Sequence, residues 1–277
     1  MKRIARVFPR KTKATPEDTL SFVGNPLLFM PEFDEIHISV TFTYDIERAE
    51  KLYKQWKNYA PVNIGGVALG MEGKEFIPGM YIKKGYVITS RGCRNRCWFC
   101  SVWKREGDIK ELQIKEGINI LDDNLLACSD EHIKRVFTML KKQKGRKEFT
   151  GGLEAALLKE WHVIELKEIK PYQIFFAYDT PNDREPLFEA GKLLKKYDFT
   201  YSHMRCYCLI GYKTDTFKKA EKRLLDCINA GFIPMAMLYV NEKGEYNKSW
   251  KKFQRDWVRP AIIKSRLKKK EKERSYF

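Results

Sequence analysis

The feature that most constrains the fold is an alternation that runs from residue 85 to residue 240. Short β-branched or aromatic runs take turns with segments of helical period. GYVITSR (85–91), INILDDN (118–124), KEFTGG (147–152), YQIFFAYD (172–179), YSHMRCYCLIG (201–211) and FIPMAMLYV (232–240) read as strands. Between them, 129–144, 153–169, 183–197 and 215–231 place apolar residues on one helical face, and the first of these opens on Ser129 with Asp130 and Glu131 in its first turn. A strand that returns through a helix lies parallel to its predecessor, with a right-handed crossover. The expected fold class is therefore α/β, a partial (β/α)6 TIM-like barrel short of the closed ring of eight.

Upstream, EIHISVTF (35–42) is a strand, 45–60 is a helix with Asp45 as its N-cap, and PVNIGGVAL (61–69) is a second strand. Together they predict a short Rossmann-like βαβ extension. Residues 1–35, rich in proline and turn formers, read as loop, and a last helix is expected over 248–271, carrying the basic run KSRLKKKEKER (264–274). The predicted organisation is an N-terminal extension (1–80), a barrel (81–245) and a basic C-terminal helix and tail (246–277).

Composition matters at three points. A hydrophobic fraction of 43% over 277 residues excludes a disordered chain. The formal net charge of +17 favours a polyanionic partner or substrate, nucleic acid or nucleotide, because lysine and arginine displace counterions from phosphates. The charged start MKRIARVFPRK lacks a signal-peptide core, and no run approaches a membrane span, so the chain is expected to be cytoplasmic with no membrane partner. Oligomeric state is not legible. In the cytoplasm the seven cysteines, an odd number, read as metal ligands, redox groups or packing residues rather than a disulfide framework.

Ligands of parallel α/β sheets gather at the carboxyl ends of the strands, and polar residues fall there. Cys93, Cys97 and Cys100 follow the first strand of the alternation as C-x3-C-x2-C; Asp122, Asp123 and Asn124 end the second; Gly151, Gly152 and Glu154 follow the third; Asp179 and Thr180 end the fourth. Three thiolates in eight residues fit zinc or an iron–sulfur centre, and the missing fourth ligand leaves one coordination position open. Arg91, Arg94 and Arg96 are placed to offset thiolate charge or to be solvated. On the fifth strand Arg205 and Tyr207 share one face with His203, while Cys206 and Cys208 share the other; either set can face the interior, and buried packing is the ordinary role of a free cysteine. Cys128 and Cys227, and Met235 and Met237 on the sixth strand, read as packing residues.

The stretch TSRGCRNRCWFC (89–100), with an aromatic residue before its last cysteine and a strand before its first, resembles the radical S-adenosylmethionine (radical SAM) superfamily. The likeness covers about 85–240 as a fold. It is strongest to cobalamin-associated and methylthiotransferase-like members, and the whole chain is similar to small radical SAM proteins of phages and prophages. The resemblance implies a [4Fe-4S] cluster on Cys93, Cys97 and Cys100, the catalytic and metal-binding set. An open iron then binds the amino and carboxylate groups of SAM, an external donor of flavodoxin or ferredoxin type supplies an electron, and SAM is cleaved to methionine and a radical that starts chemistry on substrate.

It further implies cofactor-binding positions. Phe99 lies beside the cluster or adenine. Asp122, Asp123 or Asn124 stands where the family often has Gly-Gly-Glu for the SAM amino group. Glu154 faces SAM or substrate, or serves as a first-turn helix carboxylate. Asp179 and Thr180 are within reach of the ribose, or Thr180 or Asn182 caps the next helix, and Arg205 takes a carboxylate. The D-x-H-x-x-G cobalamin signature is absent, so no cobalamin is expected and the N-terminal piece reads as a vestigial scaffold. The rival reading is a non-enzymatic basic nucleic-acid-binding protein with a structural zinc or iron–sulfur site.

Overall fold

The computed structural model describes residues 2–212, 214–241, 243–259, 261–263 and 265. It is a mixed α/β protein built on parallel sheets, and the chain divides into two compact units, 1–145 with 242–244 and 146–241 with 245–277.

The first unit opens with four parallel strands, β1 (Ile4–Phe8), β2 (Ser21–Val23), β3 (Glu35–Ser39) and β4 (Val62–Gly65), in the order β2-β1-β3-β4. Helix α1 (Ile46–Trp56) links β3 to β4. Its apolar face brings Ala49, Leu52 and Trp56 onto Ala5, Val7, Ile36 and Ile38, and the Trp56 indole donates to the Gly24 carbonyl at 3.0 Å. Gly66 turns the chain after β4 at φ +125°, where a Cβ would lie 2.4 Å from the Val40 carbonyl oxygen.

The predicted βαβ unit is thus present, but the loop reading of residues 1–35 is corrected, because β1 is an interior strand and β2 flanks it. The strand was hidden by Arg6, which breaks the apolar run IARVF yet is only 7% exposed. Its guanidinium donates to the carbonyls of Gly79 (3.1 Å) and Met80 (3.3 Å) and pairs with Asp18. Asp45 precedes α1 as expected but makes no side-chain cap; its buried carboxylate takes Arg10 instead.

The first unit continues with β5 (Tyr86–Val87), β6 (Ser90–Arg91), α2 (Val102–Arg105), β7 (Lys110–Glu111), β8 (Asn119–Ile120) and α3 (Asp130–Lys142). β5 and β8 pair in parallel, while β6 and β7 form an antiparallel pair. The strand expected over 85–91 is therefore broken, because the Thr89 amide leaves strand pairing to bond the Asp122 carboxylate at 2.6 Å. α3 begins as predicted, with the Ser129 hydroxyl accepting from the His132 amide at 3.2 Å.

In the second unit β9 (Glu148–Leu153), β10 (Gln173–Ala177), β11 (Met204–Ile210) and β12 (Ile233–Leu238) lie side by side in chain order, all parallel. Helices α4 (Glu160–Ile169), α5 (Arg184–Lys196) and α6 (Phe217–Ala230) connect them, and α7 (Lys248–Asp256) follows β12. β11 alternates strictly: Met204, Cys206, Cys208 and Ile210 are buried, and Cys208 and Ile210 pack with Ala220 and Leu224 of α6. Arg205 and Tyr207 share the other, half-buried face. That face also holds Met235 and Met237, which corrects their reading as core; the buried positions of β12 are Pro234 and Ala236. Most of the basic run 264–274 lies outside the described residues. Among the described residues no helix is long and apolar enough to cross a membrane.

Gly191 on α5 meets the end of α6 so closely that a Cβ would lie 2.0 Å from the Ala230 carbonyl oxygen. Gly191→Ala must push the two helices apart, and chemical denaturation is expected to show a loss of about 1–3 kcal/mol or more, the cost of an overpacked contact, despite alanine's better helix propensity.

Candidate metal centre

The loop carrying the three cysteines leaves β6 and returns at β7, so an antiparallel pair closes its base. Its first residue has to be glycine: Gly92 has φ +87°, and a Cβ there would sit 2.1 Å from the Asp108 carbonyl oxygen. The Cys93 amide then donates to the Gly107 carbonyl at 3.1 Å, and the Cys100 amide to the Cys97 carbonyl at 3.1 Å.

Three consecutive residues after β8 hold the approach to Cys93. The Asp122 carboxylate, 1% exposed, accepts from the Thr89 amide (2.6 Å), the Thr89 hydroxyl (2.5 Å) and the Ser90 hydroxyl (2.7 Å). The Asp123 carboxylate accepts from the Gly92 amide at 2.9 Å. The Asn124 amide donates to the Cys93 sulfur at 3.5 Å, and the Asn95 backbone amide donates to the same sulfur at 3.4 Å. All three strand-end residues predicted to serve SAM therefore have partners on the cysteine strand. Burial outweighs the hydrogen bonds in raising the Asp122 carboxyl to about 6; it also raises Asp123, against Arg105 and Arg91.

The far side of the loop is pinned by a pair that sequence reading missed. Glu106 is 1% exposed, binds Arg105 at 2.8 Å and accepts from the Gly73 amide at 3.2 and 3.1 Å. The sequence reading gives neither residue a role, and only the fold reveals their burial. Trp103, also missed, donates its indole N–H to the Cys97 carbonyl at 3.1 Å. Of the arginines considered for charge compensation, Arg94 and Arg96 are exposed, while Arg91 packs under Gly73. Phe99 is half-buried and meets Trp98 edge-on at 5.3 Å.

The donor chemistry separates the seven cysteines. Cys93, Cys97 and Cys100 are all partly exposed, whereas Cys128, Cys206, Cys208 and Cys227 are buried. Burial pushes Cys128 up to about 12, and Cys206 and Cys227 upward, while Cys208 is raised by Cys227 and then by burial. Cys100 is also raised, by burial first and then by nearby Cys93. Among the described residues no three His, Cys, Asp or Glu side chains are gathered around one point as a metal ion would need. The three loop thiols nonetheless fit a thiophilic centre in number and accessibility, and two N–H groups are directed at the Cys93 sulfur.

The remaining predicted positions lie in the second unit. Glu154, half-buried, precedes a short 3₁₀ turn and makes no side-chain cap. The Asp179 carboxylate accepts from the Leu209 amide at 2.6 Å and is raised by burial to about 6. Thr180 stands before a 3₁₀ turn (Pro181–Asp183) in a box with Asp183, whose carboxylate accepts from the Thr180 amide (2.7 Å) and hydroxyl (3.0 Å), while α5 itself, with Asp183 at its N-cap position, has no side-chain cap. Arg205 lies beside Gln173, whose amide oxygen, suitably oriented, accepts from its Nε (3.2 Å) and Nη2 (2.8 Å). Tyr207 stacks on Phe175 at 4.8 Å and donates to the Thr150 carbonyl at 3.1 Å. No family model and no curated protein matches the chain.

Two outcomes follow. Gly92→Ala is expected to disorder the cysteine loop, read as faster amide exchange over 92–108 with little change over β9–β12. The second concerns pH. The Asp122 carboxyl titrates near 6 when folded against an ordinary 3.8, so between those values the unfolded chain binds fewer protons and stability falls as pH rises. Asp179 acts in the same direction. Asp122→Asn and Asp179→Asn are each expected to flatten part of that slope in urea denaturation from about pH 4 to 6; an unchanged slope in both would refute these values.

Proposed function

We propose that the chain is a radical SAM enzyme. In this reading Cys93, Cys97 and Cys100 hold a [4Fe-4S] cluster, and its strands form a partial (β/α)6 barrel. One observation carries the reading: these three cysteines, alone among the seven, are partly exposed, on a glycine-pinned loop that leaves β6 a few residues beyond the parallel strand β5. Bound there, the cluster would supply an open iron for SAM and the electron that cleaves it. The chain's own residues supply the setting. Asp122, Asp123 and Asn124 fix the strand that delivers Cys93, Glu106 with Arg105 anchors the loop's return, and Trp103 steadies the backbone at Cys97.

In the second unit, Arg205 and Tyr207 are half-buried on the face opposite Cys206 and Cys208, the arrangement under which the sequence reading gives them a carboxylate-binding role. The net charge of +17 favours a nucleic acid or nucleotide as substrate.

The test is anaerobic reconstitution with iron and sulfide, then dithionite and SAM, scored for 5′-deoxyadenosine. Wild type is expected to bind a [4Fe-4S] complement and form the product. Cys93→Ala, Cys97→Ala and Cys100→Ala should each lose both, while Cys128→Ala keeps both. No 5′-deoxyadenosine from wild type, or product that survives all three loop substitutions, would end the radical SAM reading. A tightly held metal without turnover would favour the structural-site rival.

A further inference from the structure

Within the first unit a cavity of about 240 Å³ opens at the carboxyl edge of the β2-β1-β3-β4 sheet. None of its lining residues belongs to the cysteine loop, so it is independent of the proposed cluster. Its position is where an open parallel sheet binds ligands. The chain leaves β1 for β2 on one side and returns to β3 on the other, so strand order reverses between the ends of β1 and β3. The cavity lies there, between Phe8 and Pro9 after β1 and Ser39, Thr41 and Phe42 after β3, with Ile82 and Leu121 completing an apolar wall.

The site is preformed. The loop after β1 is fixed by the Thr15 hydroxyl accepting from the Thr12 amide (2.8 Å), by the Thr12 hydroxyl accepting from the Ala14 amide (3.2 Å), and by the Ala14 carbonyl accepting from the Lys83 amide (2.8 Å). Tyr81 on the rim is held by His37 at 2.5 Å.

Its polar equipment narrows the ligand. Arg10 is gripped side-on by the buried Asp45 carboxylate, through Nε (2.5 Å) and Nη2 (2.6 Å), and lies over the Tyr44 ring at 4.6 Å. That geometry leaves the guanidinium's end-on fork, two parallel N–H donors, without a partner among the described residues. The Ser39 and Thr41 hydroxyls at the cavity wall likewise make no hydrogen bond to a described residue. Asp45 already balances the charge of Arg10, so the fork calls for two adjacent neutral acceptors rather than an anion. A phosphate is poorly served: Pro9 has no N–H, and no glycine-rich turn follows β1 to present backbone amides. The volume sits just under the range of about 300–1,000 Å³ typical of small-molecule pockets, which fits a single base or nucleoside and excludes a dinucleotide or a tetrapyrrole. Aromatic surface from Phe42 and Tyr81 suits a flat ring.

We propose that this crevice binds a guanine base, with O6 and N7 on the Arg10 fork and the ring against Phe42 and Tyr81. An arginine fork matches that pair of acceptors, whereas adenine presents an amino donor in place of one. The base arrives either as a free nucleoside or as an unstacked residue of a single-stranded nucleic acid.

The experiment is calorimetric titration of the full chain with guanosine, adenosine and a short guanine-bearing single-stranded oligonucleotide. Guanosine is expected to bind at least about tenfold tighter than adenosine. Arg10→Lys, which keeps a cation beside Asp45 but loses the fork, should weaken guanosine by about tenfold or more. Ser39→Phe, which fills the cavity from its wall, should abolish binding, with a thermal melt confirming that each variant is folded. Cys93→Ala should bind guanosine unchanged, which separates failure here from failure of the cluster reading. Binding of the oligonucleotide alone, weakening with salt, would assign the base to a single strand; equal binding of the nucleoside would assign it to a small molecule. No binding of either ligand, adenosine bound as well as guanosine, or binding indifferent to both Arg10→Lys and Ser39→Phe would overturn the proposal.

Discussion

The cysteine loop depends on a buried carboxylate. Asp122 spends its acceptors on Thr89 and Ser90, and in doing so takes the Thr89 amide out of strand pairing and turns the chain toward Gly92. Burying that carboxylate carries a large desolvation cost, visible in its raised pKa. Hydrogen bonds to a charged group contribute about 1.5–3 kcal/mol each, so three donors around one carboxylate offset much of the cost and leave a segment with one arrangement. The two residues that follow extend the same device, Asp123 to the Gly92 amide and Asn124 to the Cys93 sulfur. The approach to Cys93 is thus set by the end of β8 rather than by the loop itself.

That dependence explains why the cysteines behave as two groups. Cys206, Cys208 and Cys227 lie between β11 and α6, where a thiolate has no water and is held neutral. Cys128 is held neutral by burial as well. The loop cysteines are bound by glycine geometry and by buried anchors at both ends, Asp122 on the approach and Glu106 on the return, so they stay at the surface without the loop being loose. Reactive thiols are the partly exposed ones of a fold, and accessibility here results from the loop's construction.

Much of this was legible in sequence, for identifiable reasons. The six-part alternation rests on periodicity: β10 to β12 and their helices fall inside the predicted spans, and β9 runs one residue past its own, to Leu153. Ser129 caps α3 because a local signal needs only its neighbours. What failed was non-local. Arg6 made β1 look like loop, because its partners lie at Asp18, Gly79 and Met80. Asp45 was taken from its predicted cap by Arg10, thirty-five residues away. Glu106 was passed over, because its partner Gly73 lies thirty-three residues away. Met235 and Met237 looked like core because a methionine's hydrophobicity does not say which face of a parallel strand it occupies. The triplet Asp122-Asp123-Asn124 was singled out by its position at a strand end, but its hydrogen bonds to the cysteine strand could come only from the fold.

The paired arginines also bear on the net charge. Arg6 with Asp18, Arg10 with Asp45, Arg105 with Glu106, and Arg223 with Asp215 are pairs in which at least one partner is nearly inaccessible. Each pair removes one cation and one anion from the balance, so the excess of +17 falls wholly on the other residues. Arg6, Arg105 and Arg223, whose side chains are nearly inaccessible, therefore serve the fold, while a polyanion would meet the remaining, largely lysine-borne charge. Lysine positions a phosphate backbone without reading it. In the proposed guanine crevice a specific base would be read by Arg10 instead: its partner balances its charge but leaves its fork, so it would select by acceptor geometry where the lysines would select only by charge.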